Sequence, residues 1–162
     1  MNKSTIKVIK ILVIKMEYIK HVTSDNKRNI TREIELQDIS SRYGFSPKII
    51  KSNITYADLN NTYVGNITME HLNEMCIADM YGDEPEEVPK KIWDQIRVML
   101  KILYFEEGIE YIDITGYNFI EKNGKVYIID FGDAIYSKKD REMNWFLSYF
   151  LGGHNGWNPD FK

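Results

Sequence analysis

The chain has 162 residues, 43% of them hydrophobic and 28% charged, a balance that supports one packed unit and excludes disordered or collagen-like chains. Twenty-one basic side chains against 24 acidic ones leave a net charge of −3, the wrong sign for a protein whose main partner is a polyanion, so direct nucleic-acid binding is not expected. The one cysteine, Cys76, excludes an internal disulfide and a multi-thiolate zinc site and fits a reducing, cytoplasmic setting.

No apolar run reaches the roughly 18 residues of a membrane span, and Lys7, Lys10 and Lys15 interrupt the N-terminal one, which also spoils a secretory leader. Membrane partners are therefore not expected. Ile6–Met16 is dense in β-branched residues and predicts one long strand or two short ones. A polar turn over 23–29 leads to a helix opening near Asn29 or Thr31, with Ile34, Leu36, Ile39 and Tyr43 as its apolar positions and Gly44 as its stop. Lys48-Ile49-Ile50 and Thr62–Glu70 read as further strands. Asp83 to Glu87 is an acidic, proline-marked loop to which no metal chemistry is assigned. Lys90–Glu107 places Ile92, Ile96, Met99, Leu100 and Leu103 at helical spacing, and Gly108 ends it. Two apolar runs flank Asn123-Gly124, the strongest short-range hairpin signal. Arg141–Leu151 is a last helix.

The hairpin carries chemistry. With Asn123 and Gly124 as turn residues, Lys122 faces Lys125 and, counting outward, Asn118 faces Ile129 and Tyr117 faces Asp130. An amide and a carboxylate thus meet at the open end, the oxygen donors that magnesium takes, with Asp113 just upstream in a loop.

Asp113-x-x-x-x-Asn118, the hairpin and Ile129-Asp130-Phe131-Gly132 together resemble the catalytic loop and DFG motif of the protein-kinase-like superfamily. The resemblance implies an α+β, two-lobed, truncated kinase-like fold in a single domain. Residues 1–70 would form a small β-rich lobe with one helix, and residues 71–162 an abbreviated, mainly helical lobe with the catalytic hairpin. It implies ATP and Mg²⁺ as cofactors, Asp113 as the catalytic base, and Asn118 and Asp130 as metal ligands. Lys15, in Leu12-Val13-Ile14-Lys15, looks like the phosphate-binding lysine and Glu33 like its partner on the first helix, with Lys10 and Glu35 as rivals. Met69-Glu70-His71-Leu72 looks like the kinase hinge, where backbone groups of Glu70 and Leu72 would bind adenine.

The pattern departs from the family in definite ways. No glycine precedes Gly44, so the phosphate-covering Gly-rich loop is missing. Tyr111-Ile112 stands where His-Arg precedes the catalytic Asp, and Thr115 stands where a lysine would neutralise the transferred phosphate. About thirty residues follow Gly132, with no Ala-Pro-Glu motif and too little chain for a conventional activation loop and peptide-binding helices. The reduced set is similar to the RIO kinases and to the kinase subunit of the KEOPS complex. Abundant Ile, Lys, Asn and Tyr match AT-rich coding, as in large DNA viruses, and a viral or effector chain would act in the host cytoplasm.

Two functions of different class follow. One is a minimal Ser/Thr phosphotransferase or ATPase of reduced activity, with ATP and a protein substrate. The other is a pseudokinase that binds a regulatory protein partner with or without nucleotide. The bland alternatives are Asx turns and caps for Asp113, Asn118 and Asp130, and a surface pair for Lys15 and Glu33. His21, His71 and His154 lack metal-ligand spacing; Cys76 reads as a small buried residue on a helix, and Trp93, Trp145 and Trp157 as packing residues.

Overall fold

The computed structural model describes residues 16–161. Strand β1 (Glu17–Ser24) is followed by helix α1 (Lys27–Arg42), β2 (Ile49–Ala57) and β3 (Thr62–Glu70). The three strands form an antiparallel sheet in the order β1-β3-β2, with Val22 and Ile54 both opposite Gly65. Of the strand expected over Ile6–Met16, residues 6–15 lie outside the described residues, and Lys10 and Lys15 with them. β1 begins beyond that span and reaches into the segment expected to be a polar turn. Along it Lys20, Val22 and Ser24 are half-buried while Ile19, His21 and Thr23 face out, so strand alternation aims Lys20 inward.

α1 starts before the point that hydrophobic spacing indicates because the Asn26 side chain caps it, accepting the Arg28 N–H at 2.9 Å. Gly44, at φ +73°, turns the chain out of the helix. The buried face is Ile30, Glu33, Leu36, Gln37, Ser40 and Ser41; of the expected stripe Leu36 is buried and Ile39 packs against the core, while Ile34 is half-buried and Tyr43 is exposed. Close packing on the sheet sets this rotation. A Cβ on Gly65 of β3 would lie 2.5 Å from Ile30 Cγ2, so only glycine lets the helix ride this low on the strand. Glu33 and Gln37, one and two turns on from Ile30, then face inward too.

Past β3 the chain forms α2 (Ile77–Tyr81), a 3₁₀ turn (Pro85–Glu87) in the acidic loop, and the long α3 (Lys90–Phe105). α3 buries the expected Ile92, Ile96, Met99, Leu100 and Leu103, and Trp93 as well. Each such side chain contributes roughly 1.5–3 kcal/mol by burial, which makes α3 the central rod of the core. Tyr111, Phe119, Phe131 and Phe150 pack around it, and the Trp93 ring lies 4.3 Å from that of Trp157.

Short strands β4 (Ile109–Glu110) and β7 (Ile135–Tyr136) pair with each other; between them come β5 (Phe119–Lys122) and β6 (Lys125–Ile128). Asn123 at φ +52° and Gly124 at φ +79° make the left-handed two-residue turn, with Lys122 opposite Lys125. Helix α4 (Trp145–Leu151) begins later than the expected Arg141. Asn144 caps it, accepting the N–H groups of Phe146 at 2.9 Å and Leu147 at 3.2 Å, while Arg141 is drawn 2.8 Å from the buried Glu110.

The chain is thus a mixed α+β fold. No helix among the described residues is long and apolar enough to cross a membrane. Two expectations are corrected. Cys76 is the half-buried residue that precedes α2, its Sγ donating to Asp79 Oδ2 at 3.1 Å, and not a buried helical residue. Trp145 is exposed at the start of α4, its indole N–H bonded to Asp160, and packs no core.

Candidate active site

A cleft of about 360 Å³ opens between the end of the sheet and the β5–β6 hairpin, lined by Lys20, Met69, Leu72, Asn118, Ile129 and Asp130, among others. Two elements deliver its polar groups and a third backs them. β1 supplies Lys20 by alternation, the hairpin supplies Asn118 at its entry and Asp130 just beyond its exit, and α1 sets Glu33 against Lys20 from its inward face. The Ile129 N–H donates to the Asn118 carbonyl at 3.0 Å, continuing the ladder outward as the register requires and bringing Asn118 beside Asp130.

The Lys20 ammonium lies 2.5 Å from Glu33 Oε1 and 2.8 Å from Asp130 Oδ2. Burial opposes its charge, but Asp130 and Glu33 outweigh that and hold its pKa above the usual lysine value. Burial pushes the Glu33 carboxyl up, Lys20 offsets only part of this, and Asp130 and Asp133 add to it. Asp130 Oδ1 also accepts the Gly132 N–H at 2.8 Å, which leaves lone pairs on both carboxylate oxygens unused. Glu35, the rival to Glu33, is exposed. The expected Lys15 lies outside the described residues, and the cation on Glu33 is Lys20.

Asp113 sits behind Asn118, whose amide nitrogen donates to the Asp113 carbonyl at 3.1 Å. That bond uses the amide nitrogen and leaves the Asn118 side-chain oxygen as its remaining donor to a cation. Asp113 Oδ1 is buried without a hydrogen-bond partner among the described residues. Burial raises the Asp113 pKa; the Asn118 and Thr115 side chains counter this, and Asp133 and Asp130 reinforce it. Tyr111, two residues earlier, is fully buried edge-on to Phe131 at 5.4 Å, and its hydroxyl has no hydrogen-bond partner among the described residues. Its pKa stands well above the usual tyrosine value, chiefly through burial.

The sequence matches no known protein-family model and no curated protein.

Glu70 and Leu72 both line the cleft. The Glu70 N–H donates to the Lys48 carbonyl at 3.1 Å, and the Leu72 carbonyl accepts Lys122 Nζ at 2.5 Å. The Leu72 carbonyl is therefore engaged by the protein itself. Among the described residues no three His, Cys, Asp or Glu side chains cluster tightly enough to hold a metal unaided. A divalent ion here would need Asp130, the Asn118 oxygen and ligands from elsewhere, which suits magnesium, an ion that keeps waters and phosphate oxygens around one or two protein carboxylates. Charge supports such an ion: Asp130 and Asp133 both help to raise the pKa of Glu33 and of Asp113, and Lys20 is the one cation paired with any of these carboxylates among the described residues.

Sequence reasoning missed Lys20, Tyr111 and Lys122. Lys20 is readable from Tyr18-x-Lys20-x-Val22, a period-two pattern just after the β-branched run of Ile6–Met16. Tyr111 and Lys122 carry no local signal, because burial and a partner fifty residues away define them.

Proposed function

We propose that the chain is a minimal, protein-kinase-like phosphotransferase that moves the terminal phosphoryl group of ATP to a serine or threonine hydroxyl. Residues 16–70 act as the smaller lobe and residues 71–161 as an abbreviated second lobe, with the nucleotide in the cleft between them. The observation that carries the proposal is the Lys20 ammonium held between Glu33 and Asp130. This is a lysine fixed by a helix carboxylate and set beside the carboxylate of the Asp130-Phe131-Gly132 motif, which is the arrangement that phosphoryl transfer uses.

In this reading Lys20 contacts the phosphates, and Asp130 with the Asn118 oxygen holds magnesium, which would neutralise phosphate charge. Asp113 orients the acceptor hydroxyl and takes its proton as the oxygen attacks the terminal phosphorus; the bond from that phosphorus to the bridging oxygen breaks and ADP leaves. A half-buried carboxylate with a raised pKa suits a group that must accept a proton. Met69 and Leu72 offer apolar surface to the base.

One observation favours the pseudokinase alternative: apart from Lys20, no cation among the described residues pairs with the carboxylates that would surround the transferred phosphate. Phosphate transfer from γ-labelled ATP to the chain itself or to a generic acceptor protein separates the two. Transfer that Asp113→Asn abolishes supports the enzyme. Equal label on wild type and variant removes Asp113 as base, and no label on either leaves the binding module.

A further inference from the structure

The loop that carries Asp113 walls a second cavity on its other side. It has a volume of about 450 Å³ and is lined by Asp83, Glu84, Thr115, Tyr117, Trp157 and Phe161, among others. Tyr117 also lines the nucleotide cleft, so the turn of Gly116–Asn118 is the partition between the two.

The cavity is rigidly tied to Asp113. Asn158, fully buried, donates its side-chain nitrogen to the Ile112 carbonyl at 2.7 Å and its backbone N–H to the Ile114 carbonyl at 2.8 Å, gripping the residues on both sides of Asp113. Its neighbour Trp157 packs so closely on the loop that a Cβ on Gly116 would lie 3.2 Å from the indole. A ligand seated against Trp157 is therefore held in fixed relation to Asp113.

The chemistry of the walls selects the ligand. Three aromatic side chains, Tyr117, Trp157 and Phe161, line it, the residue type that combines apolar surface with attraction for a cation. Asp83 and Glu84 stand at the same wall without a cationic partner among the described residues. Asp83 accepts the neutral Tyr117 hydroxyl at 3.0 Å, a bond that holds it in place without neutralising it. Two adjacent carboxylates repel phosphate and nucleotide and attract a cation.

We propose that this cavity is the acceptor-specificity site and takes the arginine or lysine side chain of a peptide substrate, close in sequence to its serine or threonine. The proposal rests on the phosphotransferase reading for the role of the bound peptide, though not for the binding itself.

The test is the binding of two fluorescein-labelled serine peptides, identical except that one carries arginine and the other glutamine beside the serine, measured by anisotropy. Wild type is compared with the double variant Asp83→Asn, Glu84→Gln, both positions being exposed so that the fold is preserved. MgATP binding is measured separately on the same samples. The expected result is a preference for the arginine peptide of at least about tenfold in the wild type, weakened by salt and lost in the variant. Equal binding of the two peptides, or a preference the variant keeps, overturns the proposal. If MgATP fails to bind while the preference is present and Asp83-Glu84-dependent, the phosphotransferase reading falls and the cationic site stands. If MgATP binds and phosphate is transferred with no preference for arginine, the reverse holds.

Discussion

Replacing Lys20 with methionine keeps the aliphatic stem and removes the charge. Glu33, only 5% exposed, is then left without its cation, and stripping one partner from a buried pair costs roughly 3–5 kcal/mol. The second contact adds little, because the Asp130 side chain is 39% exposed and such pairs are worth roughly 0–1 kcal/mol. Two features lower the first figure: the Lys20 side chain is itself 17% exposed, and Glu33 already takes up a proton more readily than an ordinary glutamate. A loss of about 2–3 kcal/mol near neutral pH is expected, or about 4–12 °C in Tm. The pH dependence has a definite sign. Because the folded pKa of Glu33 is raised, the stability linked to its proton is fully present below the ordinary carboxylate value and lost as pH rises through the folded value. Without Lys20 that folded value climbs further, so the deficit of the variant is largest at neutral and alkaline pH and shrinks toward the ordinary carboxylate range. Urea unfolding followed by tryptophan fluorescence at about pH 8 and about pH 5 reads both effects as shifts in midpoint. An unchanged midpoint, or the same deficit at both pH values, would refute the buried-pair reasoning.

Other perturbations are as direct. Asp113→Asn should lower phosphoryl transfer by about 10²–10⁴-fold while leaving MgATP affinity within a few-fold, and the wild-type rate should rise with pH along a limb displaced above the ordinary carboxylate range; equal loss of affinity would make the residue structural. Tyr111→Phe removes a buried hydroxyl that has no partner among the described residues and should be neutral or stabilising by about 1 kcal/mol in urea unfolding, whereas a clear loss would mean the hydroxyl is satisfied in solution. Gly65→Ala should destabilise by about 1–3 kcal/mol, because the new methyl collides with Ile30 and Val22; an unchanged melting temperature would show that α1 can lift from the sheet freely.

What could be read from the chain and what could not divide along the range of the interactions. The β5–β6 hairpin follows from two residues, Asn123 and Gly124, whose left-handed backbone fixes the register and so brings Asn118 beside Asp130. The buried stripe of α3 and the extent of β3 are likewise local patterns of period 3.6 and 2. α1 defeats the same logic because its inward face carries Glu33 and Gln37: hydrophobic spacing marks Ile34 and Tyr43, while the close approach of Ile30 to Gly65, thirty-five residues away, sets the rotation. Lys20 is hidden for a related reason. Its direction depends on where β1 pairs with β3, opposite Ile67, and several lysines precede it in similar surroundings. The acidic, proline-marked character of the loop at 83–87 is plain from its residues, but its position against Trp157 and the Asp113 loop is a tertiary fact with no sequence trace.

The central claim is that Lys20, Asn118 and Asp130 form a magnesium-nucleotide site, and calorimetric titration of ATP with and without magnesium, on wild type and on Asp130→Asn, tests it most directly. Wild type should bind ATP at least about tenfold more tightly with magnesium, and the variant should lose that difference. Affinity indifferent to both the metal and the substitution, or no ATP binding at all, would contradict it.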